Sequence, residues 1–101
     1  MLRKMHRKPT EPMPLQFYTK PDCSLCDEAK IVLQSIGVET PVAIEEIDIT
    51  KNLALFTKYK HLIPVVALDG QQLFVHRIVR RKLMWHLRWY RFRRFLAKFA
   101  D

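Results

Sequence analysis

The sequence predicts one α/β domain: a four-stranded mixed sheet flanked by helices, with a basic helical C-terminal extension. Three observations lead there. An alternating stretch over 15–19, a helical repeat from Leu25 to Ile36 and an extended stretch over 41–49 make a strand–helix–strand unit. Asp69-Gly70 between two apolar runs marks an antiparallel hairpin. The chain has 101 residues, 49 % of them apolar, which is material for one core and excludes a large two-domain enzyme.

Each element has its own signal. Leu15-Gln16-Phe17-Tyr18-Thr19 alternates as a half-buried strand does, and Lys20-Pro21-Asp22 forms the loop after it. Leu25, Ala29, Val32, Leu33 and Ile36 then fall on one face of a 3.6-residue period. Asp27 and Glu28 sit in the first turn, and Gly37 stands where a left-handed C-cap is expected. A second strand covers 41–49. Its alternation changes phase between Ile44 and Ile47, which leaves its start open. A short helix over 50–59 turns Leu53 and Phe56 inward, and the apolar run 64–68 is a strand buried on both faces. Residues 72–75 return after the hairpin, and from Arg77 the pattern is helical almost to the end. The crossover between the first two strands should be right-handed and the strands parallel.

The formal net charge of +8 is unevenly spread. A short basic arm, 1–14, carries +3; the middle, 15–76, carries −3; the last 25 residues carry nine Lys and Arg against Asp101 alone. The sequence thus divides into a basic, flexible arm over 1–14, a domain over 15–90 and a basic aromatic helical extension over 91–101. The basic start has no apolar run behind it, so no secretory signal is expected, and no stretch approaches the about 18 apolar residues of a spanning helix. Two cysteines are too few for a disulfide scaffold, and the reducing cytoplasm is the expected compartment.

Those two cysteines carry the chemistry. Cys23-Ser24-Leu25-Cys26 stands at the junction of the first strand and the first helix. A thiol at a helix start faces unpaired N–H groups and the positive end of the dipole, which lowers its pKa from about 8.5 toward neutrality. A second thiol three residues on lies on the same face and can close a small disulfide, so that one sulfur attacks and the other resolves. Lys20 adds positive charge upstream, and Pro21 stiffens the approach. The competing readings of the pair are a structural link and half of a zinc site. Zinc would need ligands from His6, His61, His76 and His86, none of which pair at the usual close spacing. His61 and His76 are read as surface residues without a catalytic role.

The stretch Phe17-Tyr18-Thr19-Lys20-Pro21-Asp22-Cys23-Ser24-Leu25-Cys26 resembles the active-site segment of glutaredoxins and glutaredoxin-like proteins of the thioredoxin fold. Ile63-Pro64-Val65-Val66, with the Asp69-Gly70 hairpin, resembles the family's cis-proline strand and turn, and Glu46-Ile47-Asp48-Ile49 its second strand. The likeness spans 15 to about 85. It implies a thioredoxin-like fold and a thiol–disulfide oxidoreductase, with Cys23 as nucleophile, Cys26 as resolving thiol and Pro64 as the cis-proline. It further implies that Ile63 offers its backbone to an extended substrate. Lys20 and Ile63 match positions that contact glutathione in the family. Where glutathione-binding members carry a Gly-Gly pair and then acidic residues, this chain reads Val75-His76-Arg77-Ile78. It is closer to the divergent members with a C-x-L-C motif followed directly by an acidic residue and, two positions after that, an alanine, here Asp27 and Ala29. The resemblance implies no bound metal or organic cofactor, a protein disulfide or glutathione as the exchange partner, and glutathione or a thioredoxin-type protein as electron donor.

A second class of function is an adaptor acting through the C-terminal helix. On a helical wheel Val79, Leu83, Leu87 and Tyr90 share the face expected to cover the sheet. Trp85, Trp89, Phe92, Leu96 and Phe99 share another, with Arg80, Arg91, Arg94 and Lys98 between and opposite. Aromatics interleaved with Arg suit a membrane surface or an acidic protein, with nucleic acid ranked behind them. The plainer reading packs the second face on the sheet or on another copy.

Overall fold

The computed structural model describes residues 11–99. Strand β1 (Met13–Thr19) leads through the cysteine loop into helix α1 (Ser24–Glu39), and strand β2 (Val42–Asp48) follows. A 3-10 turn (Ile49–Lys51) and helix α2 (Leu53–Tyr59) precede the hairpin of β3 (Val65–Leu68) and β4 (Gln71–Val75), and helix α3 (Arg80–Ala97) is the last element among the described residues. The sheet order is β2-β1-β3-β4. β1 is parallel to β2 and antiparallel to β3, and β3 is antiparallel to β4, so the expected mixed four-stranded α/β sheet is present.

β1 begins two residues before the expected start, inside the stretch read as a basic arm. Met13 is fully buried, and its N–H donates to the Pro41 carbonyl at 2.9 Å. Residues 1–10 of that arm lie outside the described residues. Along β1 the side chains alternate between buried and half-buried, as two-sided cover of a central strand requires. β3 is buried at all four residues, as its unbroken apolar run predicts. β2 is an edge strand, with 43–46 exposed.

The hairpin turn is as expected. Asp69 (φ +50°) and Gly70 (φ +86°) both adopt left-handed backbone, the conformation of a type I′ turn. The Gly70 N–H donates to Gln16 Oε1 at 2.8 Å, and the Asp69 N–H to the Pro14 carbonyl at 2.8 Å, which tie the turn to β1.

Several local expectations fail for identifiable reasons. Gly37 is not a C-cap; α1 runs through it to Glu39, and the Thr40 N–H closes the helix on the Ile36 carbonyl at 2.9 Å. Ile36, fully buried, anchors the last turn and outweighs the weak helix preference of glycine. Leu53 does not point inward: it is 81 % exposed, and Phe56 is also exposed. The segment is not one helix. Asp48 caps the 3-10 turn, and Asn52 then opens α2 afresh by accepting the Leu55 N–H at 3.0 Å, which turns Leu55 and Tyr59 toward the core. The two hydrogen bonds from Thr50 hold the Asp48 carboxyl below its ordinary pKa. Removing the second cap with Asn52→Ala should cost about 1 kcal/mol, read as a shift in the urea midpoint with unchanged slope. Arg94, placed by the wheel among the solvent-facing cations, is 1 % exposed; its Nη2 donates to the Glu11 carbonyl at 3.0 Å, and its guanidinium lies 5.3 Å from the Tyr90 ring centre.

α3 docks through Leu83, Leu87 and Tyr90, all buried. Val79, expected on that face, is the exposed N-cap. The helix continues unbroken through Tyr90 to Ala97. It lies beside α1, joined by the Arg80–Glu39 ion pair and by Arg80 Nε donating to Ser35 Oγ at 3.4 Å. Tyr18, on the opposite pleat of β1 from Phe17, stacks on Tyr59 of α2 with ring centres 4.5 Å apart. Burial pushes the Tyr18 phenol pKa up, and the neighbouring Tyr59 adds to this.

Candidate active site: a dithiol at one end of the sheet

Topology gathers the predicted site residues. Tyr18 pairs with Val65, Thr19 with Asp48, and Val65 with Val75. The ends of β1, β2 and β4 and the start of β3 therefore share one edge, and the loops carrying Lys20, Cys23, Ile63, Pro64 and His76 emerge there. The crevice outside the carboxyl ends of parallel strands is where α/β sheets most often hold their ligands.

The loop after β1 turns at Asp22, whose φ of +57° is a left-handed conformation that Asp tolerates better than most residues. That turn delivers Cys23 in extended backbone as the N-cap of α1, with its carbonyl accepting the Asp27 N–H at 3.0 Å. Cys23 Sγ accepts the Cys26 N–H at 3.2 Å. A sulfur in the N-cap position takes the place usually held by a hydroxyl or carboxylate oxygen and meets the positive end of the helix dipole. The two Cα atoms are 5.2 Å apart, and the sulfurs are joined as a disulfide. Their environments differ: Cys23 is half-buried, whereas Cys26 is 2 % exposed and belongs to the core cluster that also contains Ile63.

The facing loop is held from two sides. The Ile63–Pro64 peptide is cis, and both residues are buried. The His76 N–H donates to the Leu62 carbonyl at 3.1 Å and the Pro64 carbonyl at 2.8 Å, with His76 itself at φ +67°. His76 thus serves this end of the fold through its backbone while its side chain is exposed, and no sequence pattern announced that pin. The Ile63 N–H is already spent on the Tyr59 carbonyl at 3.1 Å; among the described backbone hydrogen bonds none uses the Ile63 carbonyl. Lys20 is exposed on the loop before Cys23, and His61 is exposed as expected. No group of three or more His, Cys, Asp or Glu side chains among the described residues is placed to hold a metal ion.

Beside the dithiol a cleft of about 120 Å³ is lined by Leu25, Glu28, Ala29 and Val32 of α1 and by His76, Arg77 and Ile78. His76, Arg77 and Ile78, in the segment after β4, form one wall of it.

Comparison with known proteins agrees with this geometry. Residues 14–93 match the model of the glutaredoxin-like domain (DUF836). The chain is 40 % identical over 79 residues to the glutaredoxin-like protein YDR286C homolog of Dictyostelium discoideum, covering 72 % of this chain and 73 % of that protein. Among solved structures it is similar to protein Ne2328 of Nitrosomonas europaea, with a TM-score of 0.68 at 23 % identity over 76 % of this chain and 93 % of that one. A mutant thioredoxin of Halobacterium salinarum superposes with a TM-score of 0.58 at 22 % identity, over 79 % and 75 % of the two chains. Those structures establish a thioredoxin-like fold. With its Cys pair at the start of the first helix and the matched family spanning all four strands but for Met13, the chain belongs to the glutaredoxin-like domain family.

Proposed function

We propose that the protein is a thiol–disulfide oxidoreductase working through the Cys23–Cys26 pair. The observation that carries this reading is the asymmetry of the two sulfurs. Cys23 is the reachable one, placed at a helix N-terminus and hydrogen-bonded to the Cys26 N–H, while Cys26 lies buried beneath it.

In the reduced protein the dipole and the N–H favour Cys23 as thiolate. The thiolate attacks one sulfur of a substrate disulfide, forms a Cys23–substrate bond and expels the other half as a thiolate, which takes up a proton from solvent. Cys26 then loses its proton and attacks Cys23 Sγ. The Cys23–Cys26 bond forms, the mixed disulfide breaks and the second half leaves as a thiol. Two electrons have passed from the dithiol to the substrate. A dithiol protein or two glutathione molecules, oxidised to their disulfide, return the pair to its starting state. The Ile63 carbonyl beside cis-Pro64 supplies an acceptor for an extended substrate backbone, and Lys20 adds positive charge to the approach.

The test is a redox titration of the pair with a parallel assay of disulfide reduction. The reading predicts a two-electron transition and, in the reduced protein, alkylation of Cys23 near pH 6 faster than that of a free thiol. A pair that does not cycle, or a Cys23 no more reactive than free cysteine, overturns it. Turnover with glutathione alone would identify that thiol as the donor; turnover only with a reductase-coupled dithiol protein would identify a thioredoxin-type donor.

A further inference from the structure

Helix α3 has two apolar faces, and the fold uses one of them. Opposite the buried Leu83, Leu87 and Tyr90, the residues Trp85, Trp89, Phe92 and Leu96, with Phe99 in the turn that follows the helix, recur at alternating intervals of four and three, which keeps them in one stripe. All five are exposed, from 46 % at Trp89 to 65 % at Phe99. Trp85 meets Trp89 edge to face with ring centres 5.8 Å apart, and Trp89 meets Phe92 at 5.9 Å, so the rings stand as a ladder along the helix. From Arg80 to Phe99 there are eight Lys and Arg and no Asp or Glu. Arg94 is buried and Arg80 is paired with Glu39. The other six, Arg81, Lys82, Arg88, Arg91, Arg93 and Lys98, are exposed. On the wheel Arg81 and Arg88 flank the stripe on one side, Lys82 and Arg93 on the other.

We propose that this face of α3 docks on an anionic phospholipid surface. An apolar aromatic strip between two cationic margins is the arrangement of a helix lying in the interface plane: the rings enter the boundary of headgroups and acyl chains, and the flanking cations reach up to the phosphates. No helix among the described residues is long and apolar enough to cross a membrane, so α3 lies on the surface and does not span it. The cations call for an anionic occupant and the exposed rings for an apolar one, and an anionic phospholipid surface supplies both. A second copy of α3 would set six further cations against these six. On a nucleic acid the cations would be needed along the centre of the contact, where this helix has rings. The site end of the fold stays open in this pose, because α3 starts beside the 76–79 loop and runs to the opposite end, where Tyr90 Oη donates to Asp69 Oδ2 at 3.0 Å. The dithiol chemistry and the docking are separate properties, and either can fail alone.

Both Trp residues of the chain are on the stripe, so tryptophan emission, excited selectively over the three Tyr, reports this face. The full chain is titrated with phosphatidylcholine vesicles with and without about 30 % phosphatidylserine. The expected result is a blue shift, and quenching by brominated acyl chains, with the anionic vesicles and not with the neutral ones. Partitioning should fall about tenfold or more between about 0.05 M and about 0.5 M salt. Trp89→Ala with Phe92→Ala, and separately Arg88→Ser with Arg93→Ser, should each weaken partitioning about tenfold or more while the circular dichroism and thermal midpoint stay unchanged. Should a variant misfold, the lipid and salt dependence of the unaltered chain still decides. Equal binding to both vesicle types or none at all overturns the proposal. So does a stripe occupied instead by an oligonucleotide, an acidic polypeptide or a second copy, with vesicles leaving the spectrum unchanged.

Discussion

Cys23→Ser is expected to lower disulfide exchange by at least about 100-fold, to the uncatalysed background, while Cys26→Ser traps substrate as a mixed disulfide on Cys23. The two outcomes follow from unequal burial. Removing the half-buried sulfur at the helix start removes the group that attacks, so no covalent adduct forms. Removing the buried sulfur leaves the attack intact and takes away the intramolecular thiol that releases the product. Mass spectrometry of each variant after exposure to a protein disulfide reads the difference as an adduct present or absent. With glutathione in excess, Cys26→Ser should regain part of its turnover, because an external thiol can then take over the resolving step. An adduct on Cys26 in the Cys23→Ser protein would reverse the roles. Two variants with unaltered activity would detach the activity from this pair. The helix α1 packs through Ala29, Leu33 and Ile36 as well as Cys26, so the thermal midpoint should separate lost chemistry from lost folding.

What the sequence disclosed about this site was local. The strand, the turn and the first helical repeat lie within about two dozen consecutive residues, and the periodicity of each is set by its own burial. The C-x-x-C spacing, Pro64 and the Asp69-Gly70 turn belong to the same class of short-range signal, as each acts on the backbone of its immediate neighbours. The errors arose where distant residues decide. Gly37 has the chemistry of a helix stop, but Ile36 beside it is held by the core. A wheel begun at Thr50 carries a phase that the 3-10 turn breaks at Asn52. The pin from the His76 N–H to the Leu62 and Pro64 carbonyls joins two loops by main-chain atoms, which no side-chain pattern encodes. Arg94 is a mixed case. Its charge groups it with the solvent-facing cations, although its spacing of four from Tyr90 and seven from Leu87 puts it on the buried stripe. Its acceptor, the Glu11 carbonyl, lies at the other end of the chain, beyond any local window.

The two faces of α3 should separate cleanly in stability. Leu87→Ala is expected to cost about 2–5 kcal/mol, whereas Trp89→Ala should stay within about 0.5 kcal/mol of the unaltered protein. Leu87 is 1 % exposed and occupies the centre of the docked stripe between Leu83 and Tyr90. Truncating it removes apolar area from the core and leaves a cavity that the rigid helix closes only in part. The loss also loosens what α3 holds at its far end, the Tyr90 hydrogen bond to Asp69 and the Arg94 hydrogen bond to the Glu11 carbonyl. Trp89 is the larger side chain, yet it is 46 % exposed, and its neighbours on the stripe are other exposed rings. Against a total stability of about 5–15 kcal/mol for such domains, the first substitution removes a large fraction and the second almost none. Urea unfolding followed by circular dichroism measures both. A Trp89→Ala loss as large as that of Leu87→Ala would mean that the stripe already has a partner within the fold, and its exposure could then no longer be read as a surface kept for something outside it.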